Sequence, residues 1–535
     1  MHIFWQKQPK TLADDMIREP NYNQLSIEEF KTPFERGLDK SNRWVVLACL
    51  LPWEKLANIY SRSLSRDIGR PAKPSRVAIG AVIIKHKLRL PDEEVIPTIQ
   101  ENPYLQYFLG FSEFSHARPF DPSLFVTIRR RLSQETFNEM TNSFLDAVAK
   151  VEKKNKPKKK TSQKDEPLNS TSTTSSEPLS IDGSTDDKKR SGMLLVDASV
   201  APADIKYPTD LDLLNSSREH SETIIDELWQ QVKTTGKVKP RTYRRVARKA
   251  YLNMAKKRNK KSNELRKAIR KQLNYLKRNL NTINELLDKF ETIKWPLSAG
   301  LYRQFLIIQE VYRQQQQMFD ERCHQISDRI VSVSQPHVRP IVRGKAGRNV
   351  EFGAKISASV VSGYAFLDRL SWDAYHEAAD LPVQVEQYRE RFGFYPEVVI
   401  ADGIYGTRKN RDWLEEKSIR FSGKPLGRPP KKTAENAAQL KAERKRRRKE
   451  NGIRSRIEGK FGEGKRGYDL DLVKAKWPET SESWVAAIFF VMNIARWLRD
   501  YFFASIWKYA KGLRFRLFPD VKELYTAFLK IAFCE

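Results

Sequence analysis

The chain has 535 residues, room for more than one sizeable core. Its 97 Lys and Arg against 66 Asp and Glu leave a formal net charge of +31 and point to a polyanionic partner, while 40% hydrophobic and 11% aromatic residues exclude a wholly disordered chain. Three scattered cysteines (Cys49, Cys323 and Cys534) exclude a disulfide framework or a cysteine-based zinc site and suit a reducing compartment.

The opening residues, MHIFWQKQPK, contain no apolar stretch of the secretory kind, so no leader is expected. Residues 1–150 read as a helical domain. Val77 to Ile84 is apolar throughout and predicts a buried helix. Pro91-Asp92-Glu93-Glu94 opens another with an acidic first turn, and Asp121-Pro122-Ser123-Leu124 opens a third that runs into Arg129-Arg130-Arg131. Short helices with basic ends suit DNA docking of the helix-turn-helix type, with Arg129 and Arg130 as contacts. A generic helical bundle has the same pattern.

Residues 151–190 predict a flexible linker: Lys is dense from 153 to 160, and 12 of the 30 residues from 161 to 190 are Ser or Thr. Residues 211–330 predict a long helical insertion. Leu276, Leu280, Ile283, Leu287 and Phe290 are spaced 4, 3, 4, 3, and Leu301, Phe305, Ile308 and Tyr312 repeat the spacing beyond Trp295-Pro296. Two such stripes around a proline predict an antiparallel helical hairpin. Dimerisation, DNA binding or both are open to it, and the preferred reading is self-association through its heptads and DNA contact through its basic first part.

The rest, residues 191–510, predicts a mixed α/β sheet. Met193 to Val196 is an apolar run ending in Asp197, and Val398 to Ala401 is another, ending in Asp402. Between them, Phe352, Ala354, Ile356, Ala358 and Val360 alternate with polar or small residues, a half-buried strand, and Ser362-Gly363 turns it into a hairpin. Trp484 to Trp497 is too short to span a bilayer and carries Arg496, which predicts a buried core helix. Residues 511–535 read as a helical tail.

The charge is concentrated. Residues 231–280 hold 19 Lys or Arg and one acidic residue, and residues 431–450 hold 9 against 3. Solvated helix faces would account for one such stripe. Two of them, in so basic a chain, favour a nucleic-acid footprint. Leu426-Gly427-Arg428-Pro429-Pro430 reads either as a simple basic loop or as a minor-groove hook led by Arg428. Trp413 reads as a core residue, and the seven histidines have no metal-ligand spacing.

The carboxylates carry the chemistry. An aspartate at the end of a buried strand is costly unless paired or metal-bound. Asp197 and Asp402 end two such runs, and oxygen ligands there suit Mg²⁺ or Mn²⁺. The best third ligand is Glu458. On a helix it stands about 40° from Arg454, and Lys465 about 20° from it, so the three share one face. An ordinary salt-bridged surface helix has the same spacing. Gly459, Gly462 and Gly464 weaken such a helix and permit close backbone approach. Asp204 and Asp210, near Asp197, read as loop or capping residues.

These residues resemble a family. Asp197-Ala198-Ser199 with Ile205 to Asp210, and Ala401-Asp402-Gly403-Ile404-Tyr405-Gly406, are similar to the first two catalytic blocks of the DDE transposases of bacterial insertion sequences. Arg454, Glu458 and Lys465 match three positions of the third block, Tyr-x2-Arg-x3-Glu-x6-Lys, while Asn451 stands where the family often has Tyr. Gly69-Arg70-Pro71, Asn102 to Phe108 and Phe120 to Leu124 resemble the family's N-terminal domain.

The resemblance implies a ribonuclease-H-like catalytic core, here with a helical-hairpin insertion and a helical N-terminal DNA-binding domain. It implies Asp197, Asp402 and Glu458 as catalytic ligands of two Mg²⁺ ions, with Mn²⁺ able to substitute and Asp197 as the bridge. Arg454, Lys465 and Asn451 become DNA contacts. The expected partners are double-stranded DNA and a second copy, because joining two element ends needs two active sites. A bacterial, cytoplasmic, nucleoid-associated protein with no membrane partner is expected. A silent DNA-binding repressor and a metal-dependent nuclease that does not join DNA are the alternatives.

Overall fold

A computed structural model describes residues 29–31, 37–64, 71–155, 190–232, 238–290, 295–345, 348–428, 430–431 and 433–514. Most of the expected linker, the tail beyond 514, Gly69-Arg70 and Pro429 lie outside these residues.

Seven helices come first: α1 (Arg43–Leu50), α2 (Trp53–Ser61), α3 (Ser75–Leu88), α4 (Asp92–Glu101), α5 (Pro103–Phe108), α6 (Leu124–Arg131) and α7 (Gln134–Asn155). Their ends follow local chemistry. Asn42 caps α1 by accepting from the Trp44 amide. Asn102 caps α5, with Pro103 at the first position where its missing N–H costs nothing. Asp92, Glu93 and Glu94 fill the first turn of α4. The apolar run 77–84 is buried throughout within α3.

The expected boundary near 150 divides the chain but not its core. Strand β1 (Met193–Pro202) opens a second region that closes with α15 (Pro478–Arg514). That last helix packs on α3, α6 and α7, and Phe137 meets Phe490 at 5.9 Å. Arg89 adds a bond to Asp469 at 2.7 Å. One apolar cluster runs from Phe30 to Leu498, and Trp484 to Trp497 lies inside it as expected. No helix among the described residues is long and apolar enough to cross a membrane.

Between β1 and the rest of the sheet lie α8 (Asp210–Val232), α9 (Arg244–Ala255), α10 (Ser262–Leu287) and α11 (Ala299–Asp320). They form a second core of their own. The apolar stripes of α10 and α11 exist as expected, but both helices pack chiefly on α8 rather than on each other. Leu276, Leu280 and Ile283 are buried in this intrachain core. That corrects the expectation of self-association through these heptad leucines: α8 already covers the stripe.

The sheet continues with β2 (Arg339–Lys345), β3 (Arg348–Val361) and β4 (Tyr364–Ser371). Then come α12 (Leu381–Phe392), β5 (Val398–Ile400), α13 (Arg408–Glu416), β6 (Arg420–Phe421) and α14 (Ala437–Gly467), which leads to α15. β1 is central. It pairs antiparallel with β3 and parallel with β5, and β5 pairs parallel with β6. The long β3 carries both β2 and β4 on its other side. Ser362 and Gly363, at φ 48° and 80°, turn β3 into β4 as expected. Gly353 allows β3 to cross β1, because a Cβ there would lie 2.2 Å from the Ala201 carbonyl.

Two strand expectations change. Asp197 lies inside β1 rather than at its end, because β3 keeps pairing out to Pro202. The polar side of β3 is not solvated: Ser357 and Ser359 are fully buried. There α12 covers the sheet, with Asp368 accepting from Ser359 and Gln384 and paired with Arg391 at 3.2 Å. On the outer edge of β4, Asn493 of α15 bonds both the amide and the carbonyl of Ala365.

Candidate active site

Three elements bring the predicted carboxylates together. β1 carries Asp197, the turn after β5 carries Asp402, and α14 carries Glu458. All three line one cavity of about 660 Å³, with Arg454, Gly462 and Lys465 from the same face of α14. Asp197 and Glu458, 261 positions apart in sequence, thus face one space, because β1 and β5 are neighbours in the sheet and α14 packs beside both.

Arg454 organises the site. Its guanidinium lies 3.2 Å from Glu458 and 3.8 Å from Asp402. Asp402 also accepts from the Gly403 amide at 2.5 Å, and Asp197 from the Ala198 amide at 2.9 Å. Burial raises the Asp197 carboxyl to about 6; the Ala198 bond lowers it, Glu377 and Glu458 raise it further, and Arg454 lowers it.

Two residues of the cavity escaped sequence reasoning. Glu377 stands on a short 3-10 turn, Glu377–Asp380, and Lys355 on β3. Lys355 pairs with Glu377 at 3.3 Å and donates to the Tyr375 carbonyl at 2.8 Å. The only sequence signals were a lysine on a strand face that is otherwise small and polar, and an acidic turn just before Leu381-Pro382. Asn410 locks this region: it donates to the carbonyls of Ala378 and Tyr405 at 2.7 and 2.9 Å. The Glu377 turn and the turn after Asp402 are thereby held side by side.

The donor set fits a hard divalent cation, since every carboxylate offers oxygen. The arrangement is not a gathered cage. No three His, Cys, Asp or Glu among the described residues are close enough to hold an ion. A cation at Asp402 and Glu458 competes with the guanidinium between them. Ligand binding also requires Asp197 to be ionised. Mn²⁺ titration is therefore expected to weaken as pH falls through about 6, with proton release in that range, read by calorimetry in buffers of different ionisation heat. Affinity unchanged between pH 5 and 7.5 would remove Asp197 from the ligand set.

The other predicted contacts separate. Asn451 is exposed on α14 and Arg428 is exposed in its loop, where Gly427 has φ 90°; neither lines the cavity. Arg130 is exposed, near Trp477 at 5.8 Å. Arg129 must be corrected. It is 7% exposed and bonds Asp92 at 3.0 and 2.5 Å, so it is a core residue whose charge is engaged inside the chain. Arg129→Leu is expected to lose about 1–3 kcal/mol in urea unfolding and to leave the salt dependence of DNA binding unchanged. Asp210 accepts from Gln315 and Arg329 at the start of α8, and neither it nor Asp204 lines the cavity. Of the three glycines, Gly464 makes the close approach: a Cβ there would lie 2.9 Å from Leu470, whereas Gly459 faces open space.

Two family models and one curated relative match parts of the chain. The family model described as a transposase DDE domain matches residues 399–495, which include Asp402, Arg454, Glu458 and Lys465. A second, described as a transposase domain (DUF772), matches residues 32–131, spanning α1 to α6. An uncharacterised protein of Rhizobium meliloti, ORF8 in the nfe locus, is 31% identical over 119 residues, which is 22% of this chain. The match spans 57% of that relative's length. No solved structure matches.

Proposed function

We propose, on the premise that the chain resembles the DDE transposases of insertion sequences in two separate transposase domains, that it binds the terminal inverted repeats of its own element and catalyses DNA cleavage and strand transfer. The observation that carries this reading is the meeting of Asp197, Asp402 and Glu458 with Arg454 and Lys465 in one cavity. The sheet order supports a ribonuclease-H-like core, with three antiparallel strands followed by two parallel ones around β1.

Asp197, Asp402 and Glu458 would hold two Mg²⁺ ions, with Mn²⁺ a substitute. Such a pair, when bound, supplies activation of a water or a 3′-OH and stabilisation of the leaving oxygen. The chain's own part is positional. Asp402 and Glu458 hold Arg454 over the cavity, and Arg454 is placed to exchange those carboxylates for a phosphate, which a guanidinium can grip with two bonds. Lys465 adds a second cation on the same face. Asn451 lies about one turn before Arg454 and would contact DNA beyond the cavity, as would Arg428 and Arg130. Two copies would act together on the two ends.

The test combines the purified chain with labelled element ends, a target plasmid and Mg²⁺. Joined products that vanish with EDTA are expected. Nicks without joining would favour a nuclease. End binding without any cutting would favour a repressor.

A further inference from the structure

We propose that the groove between α9 and α10 is a docking site for the phosphate backbone of duplex DNA, separate from the catalytic cavity; this rests on the transposase reading. The groove measures about 450 Å³ and shares no lining residue with the cavity. Gln272 on α10 donates to the Ala247 carbonyl on α9 and fixes the two helices side by side. Val246, Lys249, Ala250 and Asn253 recur every three or four residues along α9, and Lys267 and Lys271 are four apart on α10. Each helix therefore turns one face into the groove.

That face is uncompensated. Glu264 is the groove's one carboxylate, and Lys257 holds it at 3.0 Å. Among the described residues, Lys249, Lys267 and Lys271 take part in no ion pair. Two cations outside the groove are engaged internally: Arg244 pairs with Asp226 at 2.8 Å, and Arg266 donates to the Phe319 carbonyl at 2.9 Å. Like charges at this spacing repel along a helix, so the groove needs an anion from outside. Lys267 and Lys271 stand about 6 Å apart along the axis on one face of α10, so both can face one run of backbone phosphates. A continuous polyanion fits that spacing. The turn that joins the two helices is itself basic, with Lys256, Arg258, Lys260 and Lys261. Small side chains, Ala250 and Ala268, let the backbone settle between the lysines.

The experiment measures fluorescence anisotropy of a labelled duplex with the full chain between 50 and 200 mM KCl. In the triple variant Lys249→Ala, Lys267→Ala, Lys271→Ala, the plot of log affinity against log salt is expected to flatten by about 2–3, near 0.9 per lost phosphate contact. Glu264→Gln, which frees Lys257, should bind more tightly and with a slightly steeper slope. Metal-dependent nicking by the triple variant should persist at saturating duplex. A steep wild-type slope that both variants reproduce would overturn the groove and leave the transposase reading standing. A wild-type chain that neither binds nor cuts duplex DNA would remove both. Preference for double-stranded RNA of equal length would overturn the assignment to DNA.

Discussion

Asp402→Ala is expected to abolish metal-dependent DNA cutting while leaving a folded protein that still binds DNA. The loss should reach about 10³-fold or more, since several kcal/mol of charge stabilisation go with a ligand of a catalytic metal and each 1.36 kcal/mol is tenfold. The fold should survive because the Asp402 side chain is 61% exposed. Its removal leaves no buried cavity and releases Arg454 from only one of its two partners. The measurement is the single-turnover rate of strand cleavage in Mg²⁺, beside circular dichroism and duplex binding. A variant cutting within tenfold of wild type would sink the proposed active site, whatever the family resemblance. Glu458→Gln should behave in the same way.

Arg391→Leu should be the most damaging single change to stability away from the site. Asp368 is buried between β3, β4 and α12, and among the described residues Arg391 is its only ion-pair partner. Removing that partner strands a carboxylate in the core, which costs about 3–5 kcal/mol. Burial already pushes the Asp368 carboxyl up, against the pull of Arg391. Without the arginine it rises further, so the native state of the variant takes up protons more readily than the unfolded chain. The deficit in urea unfolding should accordingly be largest at neutral pH and shrink on acidification. Adding Asp368→Asn should recover much of it, because the amide keeps Gln384 and Ser359 as partners without a charge to desolvate. A deficit independent of pH would mean that the lost stacking of the Arg391 guanidinium on Phe366, 4.3 Å from the ring centroid, outweighs the loss of its charge.

The candidate site was more legible in the sequence than the packing around it. Asp197, Asp402 and Glu458 each sit where local pattern is strong: two apolar runs and one helical face. Their meeting in one cavity depends only on which strands are neighbours. Glu377 and Lys355 were not legible, because their place is set by a sheet turn and by Asn410, which joins segments about thirty residues apart. Arg129 misled for a general reason. A basic run at a helix end looks the same whether it faces solvent or Asp92, and only the partner element decides. The leucine stripes of α10 and α11 were read correctly as apolar faces but given the wrong neighbour. Spacing says that a face is buried and does not say by what, and the stripe of α8 (Leu211, Leu214, Ile225 and Leu228) is interrupted by Arg218 and Ser221, which hides it as the partner. Ser357 and Ser359 show the same limit on a strand: polar alternation suggested solvent, whereas α12 and its buried Asp368 supplied the partners.

The contact of Phe137 with Phe490 also has a temporal meaning. A ribosome making about 5–20 residues per second needs on the order of 20–70 s to pass from one to the other. For that interval the helices nearest the start of the chain lack the surface that completes their core, and they emerge with apolar residues awaiting α15. Synthesis interrupted anywhere before α15 therefore leaves a product whose first helices are unfinished, even though every one of their own residues has been made.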